Sequence, residues 1–103
     1  MAKLNQHQIA VYMRYLSQWE EKDQRLEKTF LFERDEEAIQ FVSLFCAKAK
    51  ELKHLPEIHL TSRQVQLRLY TVDHEGHGIT GKDFALAMAA DQIFRQFVRS
   101  QVV

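Results

Sequence analysis

Four of the five histidines, His54, His59, His74 and His77, fall between positions 54 and 77. With Glu57, Asp73, Glu75 and Asp83 close by in sequence, they form the chain's one dense group of titratable side chains. Imidazole exchanges protons near neutral pH, and a carboxylate beside it orients the ring or holds its proton. The grouping therefore points to proton transfer. Plainer roles compete with it. Asp83 stands three residues after Thr80 at the start of a helical pattern, the place of a capping residue. His59 reads as a residue on the wet face of a strand, and His74 and His77 sit in a glycine-containing turn where polar residues are common. His74, Glu75 and His77 are zinc-ligating types, but their spacing matches no metal signature, and no metal is expected. Cys46 falls on the apolar stripe of a helix, where an inert, buried thiol is expected. Gly76-His77-Gly78 is too short and wrongly placed for a phosphate loop.

The elements that must position these residues follow from periodicity. Asn5 with Gln8 three residues on reads as a capping box opening a helix to Ser17, with Ile9, Tyr12, Met13 and Leu16 as its apolar stripe. Trp19–Lys22 and Leu26–Phe32 read as strands joined by a turn at Asp23-Gln24-Arg25. Asp35, Glu36 and Glu37 open a second helix and Lys48, Lys50 and Lys53 gather near its end, as the helix dipole favours. Its expected buried stripe is Ala38, Val42, Phe45, Cys46, Ala49 and Leu52, and it must stop before Pro56. Ile58–Arg63 reads as a strand. From Gln64 to Thr71 apolar and polar residues alternate, the mark of a strand with one wet face. Asp73–Gly78 reads as a turn, and Thr80 with Asp83 as the capping box of a last helix. That helix carries two apolar stripes, Phe84/Ala87/Met88/Phe94 and Leu86/Ala89/Ile93/Phe97. A small monomer is expected to bury only one of them and to offer the other to a second subunit. The order α-β-β-α-β-β-α predicts an α+β fold, with helices packed on one face of a four-stranded antiparallel sheet.

Composition narrows the class. A chain of 103 residues with 14 Lys+Arg and 14 Asp+Glu is the size of one small domain, spanning 1–103, and carries no net charge. Zero net charge excludes nucleic-acid binding by basicity alone. It also provides little colloidal repulsion, which favours self-association. A single cysteine excludes an internal disulfide and a multi-cysteine zinc site. No run approaches the ~18 consecutive apolar residues of a membrane span. The opening MAKLNQHQ lacks the apolar core of a signal peptide. The expected setting is the cytoplasm.

Two blocks carry a resemblance: His54-Leu55-Pro56-Glu57-Ile58-His59-Leu60, and Gly78-Ile79-Thr80-Gly81-Lys82-Asp83-Phe84-Ala85-Leu86-Ala87. They resemble the pterin-4a-carbinolamine dehydratase family. Trp19-Glu20, the Leu26–Phe32 strand and Phe41-Val42 fall in the family's order, so the likeness covers nearly the whole chain. The resemblance implies the α-β-β-α-β-β-α fold, sheets paired edge to edge into dimers, and dimers joined through helices into tetramers. It implies dehydration of a 4a-hydroxytetrahydropterin by histidines, with no metal or cofactor. The family's first histidine, proline and closing acid match His54, Pro56 and Asp83. The leading acid is Lys50 here, the second histidine is Leu55, the aromatic is Ser62 and the third histidine or tryptophan is Val72. A gap placed earlier would put His74 in the third histidine's place.

Leucine neither donates nor accepts a proton, and losing a general acid/base costs roughly 10²–10⁴-fold in rate. The expected function is therefore a non-catalytic, dehydratase-like protein that binds another protein. One divergent branch of the family looks similar in this respect, the dehydratase-like assembly factors of Rubisco in alpha-carboxysomes. Rubisco is the expected partner on that likeness, with a carboxysome-associated location. The wet face of the last long strand, Gln64, Gln66, Arg68 and Tyr70, is the expected protein-binding surface, since Arg and Tyr are favoured at interfaces. The alternative is an active dehydratase. In it His54, Pro56, Glu57 and His59 line a pterin pocket, His74 acts as acid/base and Asp83 orients the reacting group.

Overall fold

The computed structural model describes residues 2–54 and 56–98; the Leu55 position singled out above lies outside the described residues. The order is α1 (Gln6–Met13), β1 (Glu20–Lys22), β2 (Arg25–Leu31), α2 (Asp35–Glu51), β3 (Glu57–Thr61), β4 (Gln64–Leu69), β5 (Thr71–Asp73), β6 (Gly76–Gly78) and α3 (Gly81–Val98). Strands β1-β2-β4-β3, in that spatial order, form one antiparallel sheet, and β5 and β6 form a separate two-stranded ribbon. The α+β architecture matches the expected one. The ribbon is an addition, because 73–78 was read as a plain turn; Gly76, at φ 121, lets the chain reverse after His74-Glu75.

Period-2 alternation sets the two faces of the sheet. Leu26, Phe30, Val65, Leu67 and Leu69 are buried beneath the helices, while Glu27, Thr29, Gln64, Gln66 and Arg68 face the other way. Phe30, Phe32 and Phe41 meet Phe94 at ring separations of 5.0, 5.2 and 6.2 Å, joining sheet, α2 and α3 in one aromatic core. Tyr12 of α1 stacks on Phe84 at 5.0 Å. These contacts correct the expectation for the last helix. Leu86 is buried and Ile93 and Phe97 pack on the core, so both apolar stripes are largely covered within one chain. The reason is that α3 has α2 on one flank, the sheet beneath it and α1 against its first turns. Met88 alone of the eight residues stands exposed. The two-striped helix therefore no longer argues for a second subunit.

Two further corrections concern α1 and α2. The first helix starts at the Asn5–Gln8 capping box as expected but stops at Met13, not Ser17; Gln18 turns back with φ 66. In α2 the buried residues are Ala38, Phe41, Phe45 and Ala49, and Cys46 is exposed. Cys46 lies about 100° around the helix from Phe45, which carries it out of the core.

Two chain reversals matter for the site. Strands β1 and β2 are joined by Asp23 and Gln24, both at positive φ (51 and 58), a primed turn whose twist suits a hairpin. Helix α2 ends in a Schellman motif. The His54 N–H donates to Ala49 O and the Lys53 N–H to Lys50 O, with Lys53 left-handed at φ 55. A left-handed residue with a Cβ is strained, so Lys53→Gly is expected to stabilise the fold by about 0.5–1 kcal/mol. A rise in the urea midpoint at unchanged slope would show it.

Candidate functional site

The Schellman turn delivers His54 to the first turn of α3. Its Nε2 lies 2.5 Å from Asp83 Oδ1, with the His54 side chain 10% exposed and that of Asp83 0%. The carboxylate is held from its other side as well. Oδ2 accepts the Thr80 N–H at 2.9 Å and the Thr71 hydroxyl at 2.9 Å. Thr71 and Thr80 hydroxyls are 2.9 Å apart, so with Thr71 donating to Asp83, Thr80 donates to Thr71. Asp83 thus does what its position in the sequence predicted, capping α3 from within the first turn, and holds His54 at the same time. An ionised carboxylate only accepts, which places the His54 proton on Nε2.

His54 stands between two hollows. The first is a cleft of about 460 Å³ lined by His54, Pro56, Glu57, Tyr70, Thr71 and Val72. The second, about 430 Å³, is lined by Cys46, Ala49, Lys50, Lys53, His54, Pro56 and Ile58. The cleft gathers three of the predicted pocket residues, His54, Pro56 and Glu57. The fourth, His59, is an exposed neighbour that reaches Glu57 Oε2 through Nε2 at 2.8 Å. His74 is exposed in the β5–β6 turn and is not among the cleft's lining residues, whereas Val72 is. His77 donates from Nε2 to Asp23 O at 2.8 Å, tying the ribbon to the first hairpin. Among the described residues no three histidine, cysteine or carboxylate side chains converge as a metal would require.

Glu57 anchors the cleft's polar wall. Its carboxylate takes hydrogen bonds from His59, from Tyr70 Oη at 3.1 Å and from Arg68 Nη1 at 3.1 Å. The His59 bond is the largest influence holding the Glu57 pKa below the ordinary carboxylate value; burial opposes it, and Tyr70 and Arg68 add to the lowering. Arg68 also reaches Glu27 at 3.2 Å. Of the predicted protein-binding residues, Gln64 is exposed and Gln66 half-buried, while Arg68 and Tyr70 are engaged in this network. A carboxylate with a lowered folded pKa adds stability above its unfolded pKa, about 4.3, and loses it as pH falls through the folded value. Wild type should therefore lose stability more steeply below about pH 4.3 than Glu57→Gln, as acid titration followed by circular dichroism would show.

Sequence reasoning missed Thr71 and Tyr70 as cleft residues. Tyr70 was placed on the wet sheet face, and nothing in the local pattern marks Thr71 as the residue that bonds a carboxylate twelve positions away.

This arrangement can be set beside known proteins. A family model described as pterin 4 alpha carbinolamine dehydratase matches residues 2–93. The chain belongs to that family. A relative from Thermomicrobium roseum, provisionally named a pterin-4-alpha-carbinolamine dehydratase, is 37% identical over 87 residues, covering 84% of this chain and 91% of its own. Similarly named relatives from Roseiflexus castenholzii and a Picosynechococcus strain are 36% and 31% identical, covering 89% and 88% of this chain and 97% of each relative. The crystal structure of a Brucella melitensis protein described as a transcriptional coactivator/pterin dehydratase superposes with a TM-score of 0.83 at 23% identity, covering 89% of this chain and 98% of that one. This likeness supports the pterin-dehydratase fold. Among the described residues no helix is long and apolar enough to cross a membrane.

Proposed function

We propose that this member of the pterin-4a-carbinolamine dehydratase family is non-catalytic and acts, as a single domain over 1–103, by binding another protein. The observation that carries the reading is the lining of the cleft. His54 Nε2 is held by Asp83, Glu57 already accepts from three side chains, and the wall at Val72 is an apolar side chain left 67% exposed. A hydroxyl leaving a pterin needs a proton donor, and a substrate proton needs an acceptor. Leucine at 55 and valine at 72 supply neither. The Brucella relative's description joins coactivation to dehydratase chemistry, so protein binding on this scaffold has a parallel.

The partner follows from the resemblance to the Rubisco assembly factors of alpha-carboxysomes: the chain binds Rubisco, as a homodimer or tetramer, in the cytoplasm or at the carboxysome. Capture of Rubisco from a carboxysome-bearing lysate by the tagged chain is the expected result, and its absence would remove the Rubisco assignment. The Gln64, Gln66, Arg68 and Tyr70 face takes part in binding, so Arg68→Ala with Tyr70→Ala should weaken capture without changing the oligomer. The second reading, an active dehydratase, draws on the buried His54–Asp83 pair. It requires a further acid/base group in the cleft, and His74 is not among the residues that line it.

A further inference from the structure

Helices α1 and α3 share an open face on the β1 side of the molecule, where Asp91 of α3 is tied to Trp19 before β1 and to Lys28 of β2. In α3, Phe84, Met88, Asp91 and Arg95 are spaced four, three and four residues apart, so they line one side of the helix. Tyr12 of α1 lies over Phe84. Tyr15, just past the end of α1, borders a hollow of about 290 Å³ with Phe94, Arg95 and the paired Lys28 and Asp91. Tyr15 is 75% exposed and Met88 56%. The charge here is one-sided. Residues 1–18 contain no Asp or Glu. The two acids of α3 are already held, Asp83 by His54 and the threonines and Asp91 by Trp19 and Lys28. Arg14 and Arg95 are exposed and have no carboxylate partner among the described residues. Exposed Tyr and Met beside unpaired Arg is the composition of an interface, not of a plain solvated surface.

We propose that this α1–α3 face docks an acidic segment of a partner protein in which an aromatic or aliphatic side chain sits between carboxylates. The apolar side chain covers Met88 and the two tyrosines, while the carboxylates meet the guanidinium forks of Arg14 and Arg95. Two unpaired cations are too few to hold nucleic acid or an anionic membrane, where affinity grows with each phosphate or headgroup neutralised. A second copy brought face to face by a two-fold axis sets arginine against arginine. The β3 edge stands at the other end of the strand order from β1, so copies paired through that edge leave this face open on each. The inference adds a second surface to the sheet face named above and rests on the same protein-binding reading.

The ε-methyl group of Met88 reports the face by 13C NMR, its signal assigned with Met88→Leu. It is titrated with a synthetic peptide of leucine and phenylalanine flanked on each side by glutamates, and with the same peptide carrying lysines instead. The expected result is a saturable Met88 shift with the glutamate peptide and none with the lysine peptide. The double variant Arg14→Glu, Arg95→Glu should weaken glutamate-peptide binding about tenfold, an effect of two exposed charge contacts, with an unchanged circular dichroism spectrum. No Met88 shift, an equal shift with both peptides, or undiminished binding by the double variant overturns the proposal. An equal shift with a short DNA duplex also overturns it, because charge alone is then being read. So does a shift that follows protein concentration without peptide, because a second copy then covers the face. Rubisco capture separates the two levels. Capture without a peptide shift leaves protein binding standing and removes this face. A peptide shift without capture leaves the face and removes Rubisco.

Discussion

Asp83→Ala is expected to lower the unfolding free energy by about 3–5 kcal/mol, among the largest single effects in the chain. The carboxylate is fully buried and serves three donors on three segments: His54 after α2, Thr71 on β5, and the Thr80 N–H before α3. Alanine leaves the Thr80 N–H, the Thr71 hydroxyl and His54 Nε2 without their acceptor where the carboxylate was fully buried. Each such orphan costs about 1–3 kcal/mol before relaxation. For a domain whose total stability is about 5–15 kcal/mol, that is a large share. The conservative variant separates cap from dyad. Asp83→Asn keeps an oxygen for the threonines but turns an amide towards His54, so the imidazole must accept at Nε2 and carry its proton on Nδ1. Most of the stability should return, and the 15N shifts of His54 should report the exchanged tautomer. Unchanged thermal unfolding in Asp83→Ala would contradict the assignment of His54 and Asp83 to one buried unit.

Asp91→Ala should cost about 3 kcal/mol, for a different reason. Asp91 accepts from Trp19 Nε1 at 3.1 and 3.0 Å through its two oxygens and from Lys28 Nζ at 2.7 Å. Lys28 is 11% exposed, donates also to Ser17 O, and lies 4.9 Å above the Phe30 ring. Removing the carboxylate strands a nearly buried ammonium, the costly half of breaking a buried pair. Replacing both partners, Lys28→Met with Asp91→Leu, should recover most of the loss, since an apolar pair of similar volume carries no desolvation penalty. Trp19, the chain's one tryptophan, reports the unfolding by fluorescence. A double variant no more stable than Asp91→Ala would show that packing, not the ion pair, sets the cost.

Locally encoded features were legible in the sequence. The Asn5–Gln8 capping box, the alternation through β4 and the acid-opened, lysine-closed α2 all appear where periodicity and dipole rules place them. What it did not disclose depends on distance along the chain. Trp19 and Asp91 are 72 positions apart, and nothing near Asp91 marks it as more than a polar helix residue. The second stripe of α3 looked unpartnered because periodicity shows that a face is apolar, not how many neighbours surround it. Cys46 was assigned to the core because it follows Phe45 on a broad apolar stripe, and only the packing of Phe41 and Phe45 fixes the centre of that stripe. At the site, His54 and Asp83 were both singled out from sequence, and their separation of 29 positions is bridged by the turn at Lys53 and the cap at Thr80. His74 stood out by residue type, yet the ribbon holds it in an exposed turn, while Val72, already set against the family's third histidine, and the unremarkable Thr71 form the cleft wall.

The most direct test of the central claim is the dehydration of 4a-hydroxytetrahydropterin, generated in situ by a hydroxylase, in the presence of the purified chain and of its His54→Ala variant. A cleft lined as this one is should leave the spontaneous rate unchanged for both proteins. Acceleration by the wild-type chain that disappears in His54→Ala would contradict the account and establish His54 as a working catalytic residue.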